Sequence, residues 1–281
     1  MYDIARFAGA QVLMQALVTG APLVLPDPHA ALPDRLLFLA ENGVNALSAT
    51  PTLWRKILMS PQSARLSLRQ ITLGGEIVED GILAALAQRF PAARIVHIYA
   101  STEAGAAFSV ADGRAGFPVA YLREPPKGIE LKIQGGQLLV RTDRANAAYV
   151  GSGGVFADAD GFVDTGDAVE VRGDRCIFLG RANGMINVGG NKLFPEEVER
   201  VLMAHPSVRM ARVSGKKSPM TGQLVMAEIV LADDVRDHSQ ASALLLSHCR
   251  AHLAPWKTPA LMRIVADLAP NAAGKLGRGA A

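Results

Sequence analysis

The first 110 residues alternate short apolar runs with helix-spaced segments, and few folds accommodate that rhythm. The strand-like runs fall at 23–26, 44–48, 70–73 and 94–99. Between them, helical spacing shows at Leu36, Leu37 and Ala40, and again at Ile82, Leu83, Leu86 and Phe90. Strands and helices in alternation predict a largely parallel sheet covered by helices. Each run ends in turn or polar residues, so functional groups are expected at the carboxyl ends of the strands.

The pattern changes near Gly113. Glycine-punctuated short strands at 129–133, 137–142 and 162–164 predict a small antiparallel barrel or sheet. After Gly180 a loop rich in Gly and Asn leads to Pro195, which suits a first helical turn because its missing N–H has no partner there. Glu196 and Glu197 follow where the helix dipole favours negative charge, and Val198, Val201 and Leu202 supply an apolar stripe. Strands at 208–213 and 224–231, a helix through 244–253 and a Gly-rich tail complete the chain. The expected architecture is α/β: residues 1–180 as one large unit (α/β over 1–110, β-rich over 111–180), and 181–281 as a small, separate α+β domain.

Composition narrows the function. With 281 residues, 49% of them hydrophobic, the chain can bury the cores of two ordinary domains. Its net charge of +3 is spread along the sequence, without the basic clusters and interleaved aromatics of a nucleic-acid surface. Cys176 and Cys249 stand far apart, which suits a reducing, cytoplasmic setting better than a disulfide framework. The apolar stretch at 1–26 is interrupted by Asp3, Arg6, Gln11 and Gln15, unlike a signal peptide. Nowhere do about 18 apolar residues run uninterrupted, so no membrane span is expected.

Three segments carry groups that could do chemistry. Residues 99–105 (Tyr-Ala-Ser-Thr-Glu-Ala-Gly) follow a strand, and a hydroxyl beside a carboxylate there could hold a phosphate oxygen and Mg²⁺ together. Taken alone, the same loop reads better as a Ser/Thr cap for a following helix. Residues 164–167 (Asp-Thr-Gly-Asp) read as a tight turn whose carboxylate could accept two neighbouring ribose hydroxyls, or as an ordinary Asp turn. The third runs from Gly180 and Arg181 through Asn183, Gly189 and Gly190 to Pro195-Glu196-Glu197-Val198-Glu199. His97, His205 and His252 have no matched acid or cysteine in sequence and read as structural, as do Trp54 and Trp256.

Together with Gly274-Lys275-Leu276-Gly277-Arg278, these motifs resemble the adenylate-forming superfamily of acyl-CoA synthetases, luciferases and peptide-synthetase adenylation domains. Four motifs occur in the family's order, and the resemblance covers nearly the whole chain. It implies that Gly74, Gly75 and Glu76 border an adenine on which Tyr99 packs. Thr102 would hold phosphate and Glu103 would coordinate Mg²⁺, while Asp167 and Arg181 would bind the ribose hydroxyls. Lys275 would be the catalytic lysine, opposing charge on the carboxylate and the α-phosphate. Asn183 occupies the hinge position, where the family usually has Asp or Lys. Gly189 and Gly190 match the loop that approaches a phosphopantetheine arm, where backbone without side chains allows close approach.

The implied activity is an AMP-forming acid–thiol ligase. It uses ATP and Mg²⁺ to activate a small carboxylic acid as acyl-adenylate, then passes the acyl group to coenzyme A or to the phosphopantetheine of an acyl carrier protein. The small and apolar residues at 73–75 and 104–108 point to an aliphatic or aryl acid. The family's Ser/Thr/Gly-rich phosphate loop would lie upstream of the residues seen here, so the chain reads as an N-terminally truncated member. Two other readings therefore stand beside the ligase: a catalytically impaired nucleotide-binding or interaction protein, and a split enzyme with a separate N-terminal half. Apolar surface left where the other half would pack would favour self-association.

Overall fold

A computed structural model of the chain describes residues 2, 4–101, 105–143, 157–235, 237–271 and 274–277. In it the α/β expectation is met by three sheets. The first has the order β1-β2-β3-β4, formed by β1 (Ala46–Ala49), β2 (Gln70–Gly74), β3 (Arg94–Ser101) and β4 (Gly105–Val110). β1, β2 and β3 are parallel, whereas β4 returns antiparallel to β3. Four helices accompany this sheet: α1 (Phe7–Thr19), α2 (Leu32–Glu41), α3 (Pro51–Met59) and α4 (Asp80–Arg89).

Helix α3, which the apolar spacing did not reveal, starts on a local signal. Pro51 takes the first helical position, and the Thr50 hydroxyl oxygen accepts from the Leu53 N–H at 3.2 Å. Its buried face carries Leu53, Trp54 and Ile57 against Ile71 and Leu73 of β2. The Trp54 indole N–H donates to the Thr72 carbonyl at 3.0 Å, so this side chain is core, as expected. Ile82, Leu83 and Leu86 do the same for α4.

Two local expectations fail for physical reasons. Residues 21–27 form no strand. Pro22 and Pro26 cannot donate to a ladder, and Leu25 is exposed. The next described element after β3 is β4, from Gly105, and not the helix that a Ser/Thr cap would start.

The second sheet, order β5-β9-β8-β7-β6, comprises β5 (Phe117–Pro118), β6 (Ile129–Gln134), β7 (Gln137–Thr142), β8 (Val163–Arg172) and β9 (Arg175–Arg181), antiparallel throughout. Gly116 precedes it at φ +68°, where a Cβ would stand 2.1 Å from the Cys176 carbonyl oxygen. The loop before Gly116 is clamped by Arg175. This nearly buried side chain donates to the carbonyls of Arg114, Ala115 and Gly116 and pairs with Asp112 at 2.6 Å. Full satisfaction is what makes a buried guanidinium tolerable.

The third sheet, order β11-β10-β13-β12 with β14 beside β13, comprises β10 (Ile186–Val188), β11 (Asn191–Leu193), β12 (Val208–Ser218), β13 (Gly222–Leu231) and β14 (Leu261–Ile264). α5 (Pro195–Met203) and α6 (His238–His252) pack on it through Val198, Leu202, Leu245 and Cys249. Pro195 and the two glutamates occupy the first turn of α5 as the sequence predicts. Gly180, φ +150°, lies so near this helix that a Cβ would come within 2.9 Å of the Phe194 ring.

A Gly116→Ala substitution meets both backbone strain and a carbonyl that cannot move aside, so it is expected to cost roughly 2–4 kcal/mol of unfolding free energy. Gly81→Ala, in the first turn of α4 with open space around it, is expected to add up to about 1 kcal/mol. Chemical denaturation of the two variants checks the pair; equal effects would contradict the packing at Gly116.

Candidate functional site

The three sheets meet at a cavity of about 460 Å³. The first sheet and its connections line it with Ile98 and Tyr99 of β3, Phe108 of β4, and Gly75 and Glu76 just past the carboxyl end of β2. β8 and β9 contribute Asp167, Phe178 and Arg181, and the C-terminal tail contributes Lys275.

Asp167 owes its position to a bulge in β8. The sequence suggested a turn between strands, but 164–167 lies within one strand, whose register with β7 shifts between Gln137 and Leu139. The Asp164 carboxylate accepts from the Gly166 N–H at 2.8 Å. The Thr165 hydroxyl donates to the Leu138 carbonyl at 2.7 Å and accepts from the Asp167 N–H at 3.2 Å. Gly166 completes the bulge at φ +67°, a region that favours glycine.

From there the carboxylate of Asp167 receives two donors. The Tyr99 hydroxyl donates to Oδ2 at 2.6 Å and Arg181 Nε donates to Oδ1 at 3.0 Å. Arg181 lies directly opposite Asp167 in the β8–β9 ladder. Burial pushes the Asp167 carboxyl above the usual range, and the Tyr99 hydrogen bond and the positive charges of Arg181 and Lys275 oppose it. Burial, then the negative charge of Asp167, holds the Tyr99 phenol far above its ordinary value, which keeps it a donor. The Tyr99 ring stacks on Phe108 and Phe178, at centroid distances of 5.2 and 4.9 Å.

Lys275 is held from both sides. The Thr50 hydroxyl donates to the Gly274 carbonyl. On the other flank the Leu276 N–H donates to Glu76 Oε1 at 3.0 Å. Glu76 also accepts from the Thr52 N–H at 2.8 Å and the Thr52 hydroxyl at 2.9 Å. Gly75, φ +85°, clears the way for the lysine, since a Cβ there would stand 3.2 Å from Lys275 Cε. A further ion pair, Lys56 Nζ to Asp267 at 2.8 Å, fixes the same tail to α3.

Six expected site residues thus converge: Gly75, Glu76, Tyr99, Asp167, Arg181 and Lys275. Gly74 sits one residue outside the cavity lining, its carbonyl accepting the Tyr2 hydroxyl at 3.2 Å. Asn183 lies exposed in a short 3₁₀ turn, and Gly189 and Gly190 form the exposed β10–β11 turn at φ +58° and +89°, all three away from the cavity. Thr102, Glu103 and Arg278 lie outside the described residues. His97 reaches the cavity lining, yet its Nε2 is engaged with the Arg114 carbonyl at 3.1 Å and burial depresses its pKa, as suits a structural role.

Sequence reasoning missed Thr50, Thr52 and Phe178. The Thr-Pro step at 50–51 is a legible helix start, but nothing local announces its partner 224 residues away. Glu79 was missed as well. It pairs with Arg55 at 2.6 Å and faces Arg200 of α5 at 3.8 Å. Burial raises its carboxyl pKa, and the two arginines oppose that.

Comparison with known proteins bears on the family and the fold. The AMP-binding enzyme model matches residues 3–144, and the model of the AMP-binding enzyme C-terminal domain matches 197–275. The 2-succinylbenzoate–CoA ligase of Bacillus velezensis is 29% identical across 97% of this chain and 57% of its own length. Among solved structures, ATP-bound MatB from Rhodopseudomonas palustris shares the fold at TM-score 0.77 and 21% identity, over 97% of this chain and 57% of that one. The anthranilate–CoA ligase AuaEII in complex with anthranoyl-AMP does so at 0.76 and 22%, over 92% and 53%. The chain therefore spans a little over half the length of the relatives it matches. Its motifs, its fold and these matches place the chain in the AMP-binding enzyme family, within the adenylate-forming superfamily.

Proposed function

We propose that the cavity belongs to an AMP-forming acid–thiol ligase. In the first step a carboxylate oxygen of the acid attacks the α-phosphorus of ATP, the bond to the β-phosphate bridging oxygen breaks, and pyrophosphate leaves. In the second, a thiol of coenzyme A or of carrier-protein phosphopantetheine attacks the acyl carbon, releasing AMP and the thiol proton. The observation that carries this reading is that Lys275, far in sequence from the paired Asp167 and Arg181, faces the same cavity, which is of the size that small ligands occupy.

In this reading Asp167 and Arg181 take the ribose hydroxyls, with the Tyr99 donor fixing the carboxylate. Gly75 and Glu76 border the adenine. Tyr99, stacked on Phe108 and Phe178, packs against the adenine. Lys275 stabilises the charge that builds as pyrophosphate departs. Mg²⁺ would neutralise phosphate charge, and Thr102 and Glu103 enter as its neighbours on the resemblance alone. Asn183 is the hinge, about which residues 181–281 would turn as a separate domain to bring Gly189 and Gly190 to the thiol arm. Gly75, Ile98 and Phe108 suggest an aliphatic or aryl acid, and a cytoplasmic location belongs to the same reading.

One observation favours a second reading, in which the chain works with another copy or with a separate N-terminal half. Phe7, Met14, Leu17 and Val18 of α1 stand exposed, as does Leu25 after it, and only Gly9 of that helix is buried. Exposed apolar surface of this kind marks an interaction site.

Acid-dependent pyrophosphate release across a panel of aliphatic and aryl acids tests the ligase. Release should fall by at least about 100-fold in Lys275→Ala, consistent with loss of a transition-state charge contact, and should vanish with EDTA and return with Mg²⁺. Release unchanged in Lys275→Ala would contradict the role of that lysine, and no release with any acid would favour the second reading. Sedimentation velocity tests the α1 surface. The chain should self-associate, and Leu17→Glu with Val18→Glu should render it monomeric; a monomer without the substitutions would contradict this.

A further inference from the structure

We propose that Thr50 and Glu76 are positioning residues that place Lys275 by clasping the backbone on either side of it, and that they do so only while the tail is docked on α3. The proposal rests on the ligase reading for its catalytic consequence and on geometry for its existence. Lys275 needs no side-chain partner to be located, because the preceding carbonyl and the following N–H are both bonded to residues of the first sheet's connections. The tail's other face belongs to the third sheet. Arg212 donates to the Gly277 carbonyl at 3.2 Å, and Leu268 and Leu276 pack with Met210 and Val230. The tail is thus a strap with one side fastened to each half of the molecule.

The chemistry of the two clasping groups makes the fastening reversible. Breaking a buried hydrogen bond is costly mainly when a partner is left unsatisfied. Neither core partner would be. If the tail lifts away, Glu76 keeps the Thr52 N–H and hydroxyl. Thr50 is both donor to Gly274 and acceptor for Leu53, so its hydroxyl keeps the helix cap. With water taking the Thr50 O–H that the lifted tail uncovers, the core keeps its partners in both states, and Lys275 is delivered or withdrawn as a unit with its flanking backbone. This separates the two half-reactions: adenylation needs the clasp closed, while thiol transfer from a finished adenylate does not.

Amide hydrogen exchange on the full 281-residue chain, followed by mass spectrometry, tests the clasp without requiring turnover. Exchange in peptides covering 274–277 should rise about tenfold or more in Glu76→Gln, since one amide oxygen cannot replace two carboxylate oxygens that take three donors. Thr50→Val should act likewise, and Thr50→Ser, which keeps the hydroxyl, should match the parent chain. Exchange in α3 read in the same experiment separates tail release from general loosening. Unchanged exchange at 274–277, or an equal rise throughout α3, overturns the proposal. The kinetic arm uses the same variants. Thr50→Val, at a residue that touches the tail but does not line the cavity, should slow acid-dependent pyrophosphate release at least tenfold while leaving thiol transfer from a supplied acyl-adenylate within twofold, and an equal fall in both would also overturn it. If the parent chain releases no pyrophosphate, the ligase reading fails on its own and the exchange result still decides the clasp.

Discussion

The structure depends on one aromatic junction, in which the Tyr99 ring lies between Phe108 of the first sheet and Phe178 of the second. Phe117 and Tyr121 extend the same cluster, so the two sheets share a core at the point where β3 ends. Stacked and tilted aromatics bury large area with defined geometry. The hydroxyl emerges from that packing aimed at Asp167, which transfers the rigidity of the core to the carboxylate. A ligand bonded to Asp167 would therefore bind against a group that packing, rather than a flexible loop, holds in place.

Charge around the cavity is organised by pairing, and three ionic groups in its walls and supports illustrate how. Asp167 meets Tyr99 and Arg181, Glu79 meets Arg55 and Arg200, and Arg175 meets Asp112 and three carbonyls. Such groups give little net stability, yet leaving one unpaired would be expensive, and so they specify an arrangement more than they strengthen it. Glu79 with Arg200, and Glu76 with Leu276, carry that specification from the first sheet to the elements around the third.

What was legible in the sequence was whatever local chemistry dictates. The apolar and helix-spaced runs that became β2, β3, α4 and α5 were readable, and the Asp-Thr-Gly-Asp segment was legible as a chain reversal although the structure makes it a bulge within β8, because bulges and helix starts leave compositional marks. Leu23 and Val24 looked like a strand because apolar content alone does not reveal whether a partner strand exists. The long-range partners were not readable at all. Thr50 and Gly274, Glu76 and Leu276, and Lys56 and Asp267 are joined by backbone or simple charge contacts that impose no motif on the intervening chain. The motifs singled out candidate residues, and only the fold showed how Lys275 is held beside the others.

The cavity built by Tyr99, Asp167, Arg181 and Lys275 stands or falls as a nucleotide site. Calorimetric titration of the chain with AMP, alongside Asp167→Ala, tests this most directly. The parent chain should show one saturable site, with affinity reduced by at least about tenfold when Asp167 is removed, as expected for loss of a charged hydrogen-bond acceptor. Binding of AMP that is indifferent to Asp167 would contradict it.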